Sequence, residues 1–321
     1  MSYKIIIVSV FTLLFSTTVP AQCTVPNSAN ELHEKKLLIY LKTLSSDPFM
    51  GRKFNSQESN LTQNYIVSNL KKLSVPAFKN TYRHIFSDVG FFSTKQGANI
   101  IGFIEGKTKT DQYIVLSAHF DHLGNKGHKI FNGADDNASG TSALLAYAGM
   151  LVKDPLEHSV IILFTDGEEV NLLGAKAFIS EQEEILDQIK LNINIDMIGG
   201  DNKTKVLNYI THDFDKLLTE KKHKSLNTCL KDQSIKIKKG FNKDRSRNRL
   251  AGKTNWRMAS DHAVFYKKNI PFIYFGVGTN KNYHTNKDTY KNINTEFFTS
   301  ATAAIYQQLR FLDKNITFSD L

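Results

Sequence analysis

Five short, nearly unbroken apolar runs constrain this chain more than any other feature: NIIGFIE (99–105), YIVLSA (113–118), VIILFT (160–165), residues 191–195 and PFIYF (271–275). A strand with one wet face alternates polar and apolar side chains. Continuous runs instead mark strands buried on both faces, the habit of largely parallel sheets flanked by helices. Helical spacing surrounds them, with Leu32, Leu37, Leu38 and Leu41 inside 30–45, and Ile66, Leu70 and Leu73 inside 56–73. Segments 138–152, 172–179 and 295–312 also read as helices. The pattern predicts an α/β fold, a three-layer α/β/α sandwich with a mostly parallel central sheet, formed as one domain over residues 22–321. No repeat or Pro/Gly-rich linker divides it, and the chain contains only six Pro.

Acidic and histidine residues recur just after these runs: His119 and Asp121, Asp135, Glu168 and Glu169, Asp196, and then His284. One Asp or Glu after a strand is ordinarily a helix cap or a solvated loop residue. Several strand ends delivering ligand-type groups together are different, because open α/β sheets place their functional side chains there. Hydrolysis of an amide near neutral pH needs a strong nucleophile and a way to hold the developing oxyanion, and a pair of divalent metals about 3.5–4 Å apart provides both. Zinc suits His and carboxylate ligands. Asp135, Glu169, Asp196 and a bridging hydroxide would balance the four positive charges of such a pair, with His119 and His284 as neutral ligands, one for each metal. Glu168 is then left over as a general base. Mn2+ and Co2+ accept similar ligands.

The first residues, MSYKIIIVSVFTLLFSTTVPAQC, combine Lys4, an apolar run over 5–15 and Val19-Pro20-Ala21, which fits a signal peptide of 1–21 cleaved after Ala21. That run is shorter than the roughly 20 residues of a membrane-spanning helix. The expectation is an exported protein, secreted or periplasmic, with no stable membrane insertion after cleavage. Lipid anchoring through Cys23 is disfavoured because Gln22 stands where a small residue is required. Cys23 and Cys229 can pair in an oxidising compartment if geometry allows. The formal charge of +10 is concentrated over 216–257. Aromatic residues are not interleaved there for base stacking, so a basic insertion near the site is favoured over nucleic-acid binding. No G-x-G-x-x-G follows a strand, which excludes a dinucleotide fingerprint.

Taken in order, AHFDHLG (118–124), NGADDNASGTSALL (132–145), FTDGEEVNLLGAKAF (164–178), NIDMIG (194–199), ASDHAVF (259–265) and YHTNKDT (283–289) resemble the motifs of the M28 family of zinc peptidases. LSSDPFMGRKF (44–54) is similar to the family's N-terminal motif. The resemblance implies an aminopeptidase-like fold with two Zn2+, and peptide substrates with a free N-terminus. Carried over by position, it makes Asp135 the bridging ligand, completes one site with His119 and Asp196, and completes the other with Glu169 and His284. It makes Glu168 the base and Asp121 the carboxylate that orients the His119 imidazole. It also implies a cis peptide at Asp135-Asp136. His122, His128 and His262 occupy no ligand position of the motifs and are expected beside the site or at the surface. Asp261 is expected to shape the substrate pocket, while Asn137, Ser139 and Gly140 start the following helix.

The sequence departs from the family in two places. Too few residues separate Leu73 from Asn99 for the protease-associated domain that many members carry, and Asn171 stands where Gly is common. Three functions remain open on these grounds: a secreted di-zinc aminopeptidase, a single-zinc glutaminyl cyclase of the same fold, and a non-catalytic homologue. The peptidase-like NLLGAKAF after the Glu pair, and the retention of all five ligands and the base, favour the first.

Overall fold

The structure, a computed structural model, describes residues 27–231, 233–241 and 254–316. The expected leader over 1–21, Cys23 and residues 242–253 of the basic segment lie outside them.

Two helices open the described chain, α1 (Asn27–Leu44) and α2 (Gln57–Lys72). Leu37, Tyr40, Leu41 and Leu44 recur every three or four residues and are buried, so α1 is held by one apolar stripe. Ser56 caps α2 by accepting from Ser59 N at 3.1 Å. Strands β1 (Arg83–Val89) and β2 (Thr94–Ile104) then form an antiparallel hairpin. They are followed by β3 (Lys109–His119), a small hairpin of β4 (Gly124–Lys126) and β5 (Lys129–Phe131), α3 (Gly140–Leu151), β6 (His158–Thr165) and α4 (Leu173–Glu181). The last part contains β7 (Ile189–Ile195), β8 (Val206–His212), α5 (Glu220–Lys231), β9 (Lys236–Lys239), α6 (His262–Lys267), β10 (Phe272–Gly276) and α7 (Thr295–Asn315).

The eight-stranded sheet runs β1-β2-β6-β3-β7-β10-β8-β9. Its four central strands β6, β3, β7 and β10 are parallel, while β2 and β8 run antiparallel to their inner neighbours. All five apolar runs read from the sequence are thus consecutive neighbours, and the more polar β1, β8 and β9 take the margins. Along β3, Ile114, Leu116 and Ala118 pack into the layer of α1, α2, α3, α5 and α7, whereas Val115 packs with α4 and α6. The same alternation sends Val160, Ile162 and Phe164 of β6 to the first layer and Ile161 and Leu163 to the second. Both faces are dry, which is why no polar alternation marks these strands. Among the described residues no helix is long and apolar enough to cross a membrane.

Because the central strands are parallel, their C-terminal ends finish at one edge of the sheet. His119 ends β3, Glu168 and Glu169 follow β6, Asp196 follows β7, and His284 lies in the loop after β10. The strand ends deliver the site.

Candidate metal centre

His119 is 1% exposed, and its Nε2 lies 3.4 Å from both Asp196 Oδ1 and Asp136 Oδ1. Its Nδ1 faces Asp121, at 3.1 Å from the main-chain oxygen and 3.7 Å from Oδ1. Burial opposes protonation of this imidazole, but Glu168 and Asp196 hold its pKa well above the ordinary value. The Asp121 carboxylate also accepts from Glu168 N at 3.0 Å and Glu169 N at 3.3 Å. One buried aspartate therefore orients the imidazole and anchors the turn that carries the Glu pair.

The expected bridge at Asp135 is not where the geometry places it. Asp135 is buried, but Oδ1 accepts from Gly199 N at 2.8 Å and Gly200 N at 3.0 Å, and Oδ2 from Asn280 Nδ2 at 2.8 Å. Hydrogen bonds of this kind contribute about 0.5–1.5 kcal/mol each, and burial, with Asp288 nearby, raises the pKa of Asp135 well above the ordinary value. Releasing three of them to serve a metal is costly when the adjacent carboxylate has no such commitments. That neighbour, Asp136, directs Oδ1 toward His119 Nε2 and Oδ2 toward His284 Nε2 at 3.2 Å. Asp136 is the carboxylate that lies between the two histidines. The cis peptide is correspondingly one residue later than expected, at Asp136-Asn137. Asp288 fixes this turn by accepting from Asp135 N at 2.8 Å and Asp136 N at 3.0 Å. Burial pushes the pKa of Asp288 up to about 6.

On the other side of Asp136, Glu169 Oε2 lies 3.2 Å from His284 Nε2, and Oε1 lies 2.8 Å from His122 Nδ1. Burial would raise the pKa of Glu169, but His122 and His284 hold it well below the usual carboxylate range. Burial likewise opposes protonation of His284, which Asp136 and Glu169 raise to about 10. Tyr283 stacks on His284 with ring centres 3.9 Å apart. Glu168 groups with His119 and Asp196, and burial raises its pKa well above the ordinary value despite the opposing His119.

Among the described residues, two sets of side chains bring metal-ligand atoms within 4.8 Å of one another: His119, Glu168 and Asp196, and His122, Asp136 and Glu169. Among the described residues no Lys or Arg forms an ion pair with Asp136, Glu168, Glu169 or Asp196. Four crowded, largely buried carboxylates among imidazole nitrogens, without a Lys or Arg in contact among the described residues, are a donor set that fits divalent metal.

Arg52 supports this centre without touching its carboxylates. It is fully buried and donates from Nε to Phe120 O at 2.7 Å, from Nη1 to Leu44 O at 2.7 Å and Asn132 O at 2.6 Å, and from Nη2 to Gly133 O at 2.9 Å. Burial lowers its pKa to about 10, which leaves it charged at neutral pH. It thereby ties α1 to the loops after β3 and β5.

The remaining expectations are distributed as follows. His128 is exposed on the β4–β5 hairpin. His262 is buried, 2.8 Å from Trp256 O and stacked on Tyr274, and burial lowers its pKa to about 4. Asp261 is buried and accepts from Thr165 Oγ1, and burial raises its pKa to about 7. Asn137 Oδ1 accepts from Gly140 N at 2.9 Å at the start of α3, the structural role expected of it. Cys229 is buried, with Gln308 Nε2 at 3.5 Å from its sulfur.

Sequence reasoning missed four contributors: Asp136, Asp288, Asn280 and Arg52. The Asp-Asp doublet carried the signal for Asp136, since adjacent side chains cannot both face one point. Arg52 stood inside the N-terminal motif, but nothing local announced an arginine that caps main-chain carbonyls.

Residues 99–308 match the family model described as Peptidase family M28. The chain belongs to peptidase family M28. M28 relatives include the aminopeptidase YwaD of Bacillus subtilis, 25% identical over 232 residues that cover 68% of this chain and 46% of YwaD. A vacuolar membrane protease of Schizosaccharomyces pombe is 29% identical over 194 residues, covering 57% of this chain and 22% of that protein. The chain thus spans less than half the length of these curated relatives. The zinc aminopeptidase BSAP from Bacillus subtilis shares the fold with a TM-score of 0.65 at 15% identity, over 86% of this chain and 94% of that one. A Bacteroides thetaiotaomicron glutaminyl cyclase shares it with a TM-score of 0.62 at 18% identity, over 86% and 97%.

Proposed function

We propose that this M28 member is an exported di-zinc aminopeptidase that removes the first residue of peptides with a free N-terminus. The observation that carries this reading is Asp136, whose two carboxylate oxygens face opposite sides. One side holds His119 and Asp196; the other holds Glu169 and His284. A shared carboxylate between two His/carboxylate sets is the arrangement that holds two divalent ions close together. Bound there, zinc would polarise the scissile carbonyl and make water acidic enough to attack near neutral pH.

The protein residues have separate tasks. Asp121 holds His119 in place and fixes the main chain of Glu168 and Glu169. Asp135 and Asp288 hold the Asp136 turn rather than a ligand. Glu168 is the base: it takes a proton from the attacking water and passes it to the leaving amine, and its upward-shifted pKa suits a group that must hold that proton transiently.

Glutaminyl cyclisation is the second reading, favoured by a fold shared with glutaminyl cyclases to the same extent as with aminopeptidases. One experiment separates the two. The metal-stripped protein is reloaded with zinc and given matched peptides with a free or acetylated N-terminus, plus one beginning with Gln. Cleavage of only the free peptide supports the aminopeptidase. Loss of ammonia from the Gln peptide without cleavage overturns it in favour of the cyclase, and no reaction despite bound zinc leaves a non-catalytic homologue.

A further inference from the structure

His122 has no assigned role, yet the centre is built around it. The side chain is completely buried, and Nδ1 and Nε2 are both without a well-formed hydrogen bond among the described residues. Glu169 Oε1 is in the same condition and lies 2.8 Å from Nδ1, a contact of hydrogen-bond length but poor angle. The other carboxylate facing Nδ1, Asp136 Oδ2, is farther away at 3.7 Å, so the buried donor and Glu169 Oε1 satisfy one another after a small ring rotation. Leaving either unpaired in a buried site is costly, and more so for a charged group. The pocket also makes room for this ring: a Cβ at Gly133 would approach it to 2.5 Å, at a residue whose φ of +56° independently favours glycine. His284 lies beyond, with ring centres 5.8 Å apart, facing the other Glu169 oxygen.

We propose that His122 is a positioning residue that binds Glu169 Oε1 through Nδ1, so that Glu169 presents only Oε2 to a metal ion on the His284 side. The proposal rests on the two-metal reading above. Glu169 has two equivalent oxygens, and a free carboxylate could swing or chelate with both. Occupying Oε1 with an N–H fixes its orientation and sharpens Oε2 as a single ligand, as partners behind metal ligands generally do. His122 has a partner role that Asn can copy, since an Asn amide nitrogen can occupy the place of Nδ1, whereas Ala and Leu cannot.

The test is the zinc stoichiometry of the full chain and the Kd of each site by competition with a chelator, for wild type, H122N, H122L and H122A. H122L is expected to weaken one of two sites by about 10–100-fold while the other stays unchanged, the loss usual for a partner behind a metal ligand. H122A repeats the measurement should H122L fail to fold. H122N is expected to restore the weakened site to within a few-fold of wild type. A purely structural role would lower thermal stability without separating the two sites. H122L or H122A with both sites at wild-type affinity overturns the proposal. H122N as weak as H122L also overturns it and makes His122 a direct ligand. Wild type that binds fewer than two zinc ions instead fails the two-metal reading itself.

Discussion

Strand β6 has a buried grouping of histidine and carboxylate at each end, and the two have opposite characters. At its first residue, His158 Nδ1 lies 2.9 Å from Asp313 Oδ1 of α7, whose carboxylate also accepts from His158 N at 3.1 Å and Glu157 N at 3.0 Å. That carboxylate is saturated by N–H groups. Burial would raise its pKa, but His158 and the two amides hold it below the usual range. Just past the other end, Glu168, Glu169, Asp136 and Asp196 face histidines and one another, and the local amides have gone instead to Asp121, Asp135 and Asp288. The first grouping is closed and structural. The second leaves its carboxylate oxygens without main-chain donors among the described residues, which is the condition a metal site needs. Which carboxylates receive main-chain N–H groups therefore separates supports from ligands, and it explains why Asp135 is a support and Asp136 is not.

The sharpest way to break this comparison is to exchange the doublet. On the two-metal reading proposed above, Asp136→Asn is expected to strip zinc from both sites and to cost roughly 10⁴-fold or more in turnover, the scale on which groups acting as a unit fail together. Asp135→Asn keeps the oxygen that Gly199 and Gly200 address, and should retain both metals with a far smaller loss. Metal analysis beside turnover checks both, and the reverse pattern would return the bridge to Asp135. Glu168→Gln comes next: both metals should remain while turnover falls by about 10²–10⁴-fold. Ordinary activity in that variant would remove Glu168 as the base.

The closed grouping should fail differently. Asp313→Ala removes the carboxylate that faces the Glu157 and His158 amides and the His158 imidazole, and is expected to cost about 1–3 kcal/mol of stability with zinc content unchanged. Calorimetry beside metal analysis reads both quantities. The smallest effect is in acid. A carboxylate whose folded pKa is depressed contributes stability that is present above its unfolded pKa of about 3.9 and disappears as pH falls through the folded value. Stability of the wild type between those two points should therefore fall more steeply than that of Asp313→Asn, in denaturant titrations at graded acid pH. Parallel slopes would show that Asp313 does not carry the linkage.

Much of the fold was legible because burial on both faces writes itself into a strand as a continuous apolar run. All five such runs became adjacent strands, and each helix read from periodicity is present. The marginal strands β1, β8 and β9 were not legible: β8 (VLNYITH) and β9 (KIKK) mix polar and apolar residues, and only pairing with a neighbour makes them strands. In the candidate site, His119, Asp196, Glu168, Glu169 and His284 all converge as the sequence suggested. Asp135 did not, and His122, set aside as a neighbour of ligands, lies in contact with Glu169.

The sequence by itself determined the layered α/β architecture, the family and most of the residues from which a metal centre can be built. These follow from local periodicity and from motifs written along the chain. Only the tertiary structure decided which of two adjacent aspartates stands between the histidines, and that a buried arginine holds the surrounding loops. Both depend on partners far away in sequence, namely Gly199, Gly200, Asn280 and Asp288 for the aspartates and the carbonyls of Phe120, Asn132 and Gly133 for Arg52. A carboxylate is available to a metal only when those distant donors have been used elsewhere, and folding settles that distribution.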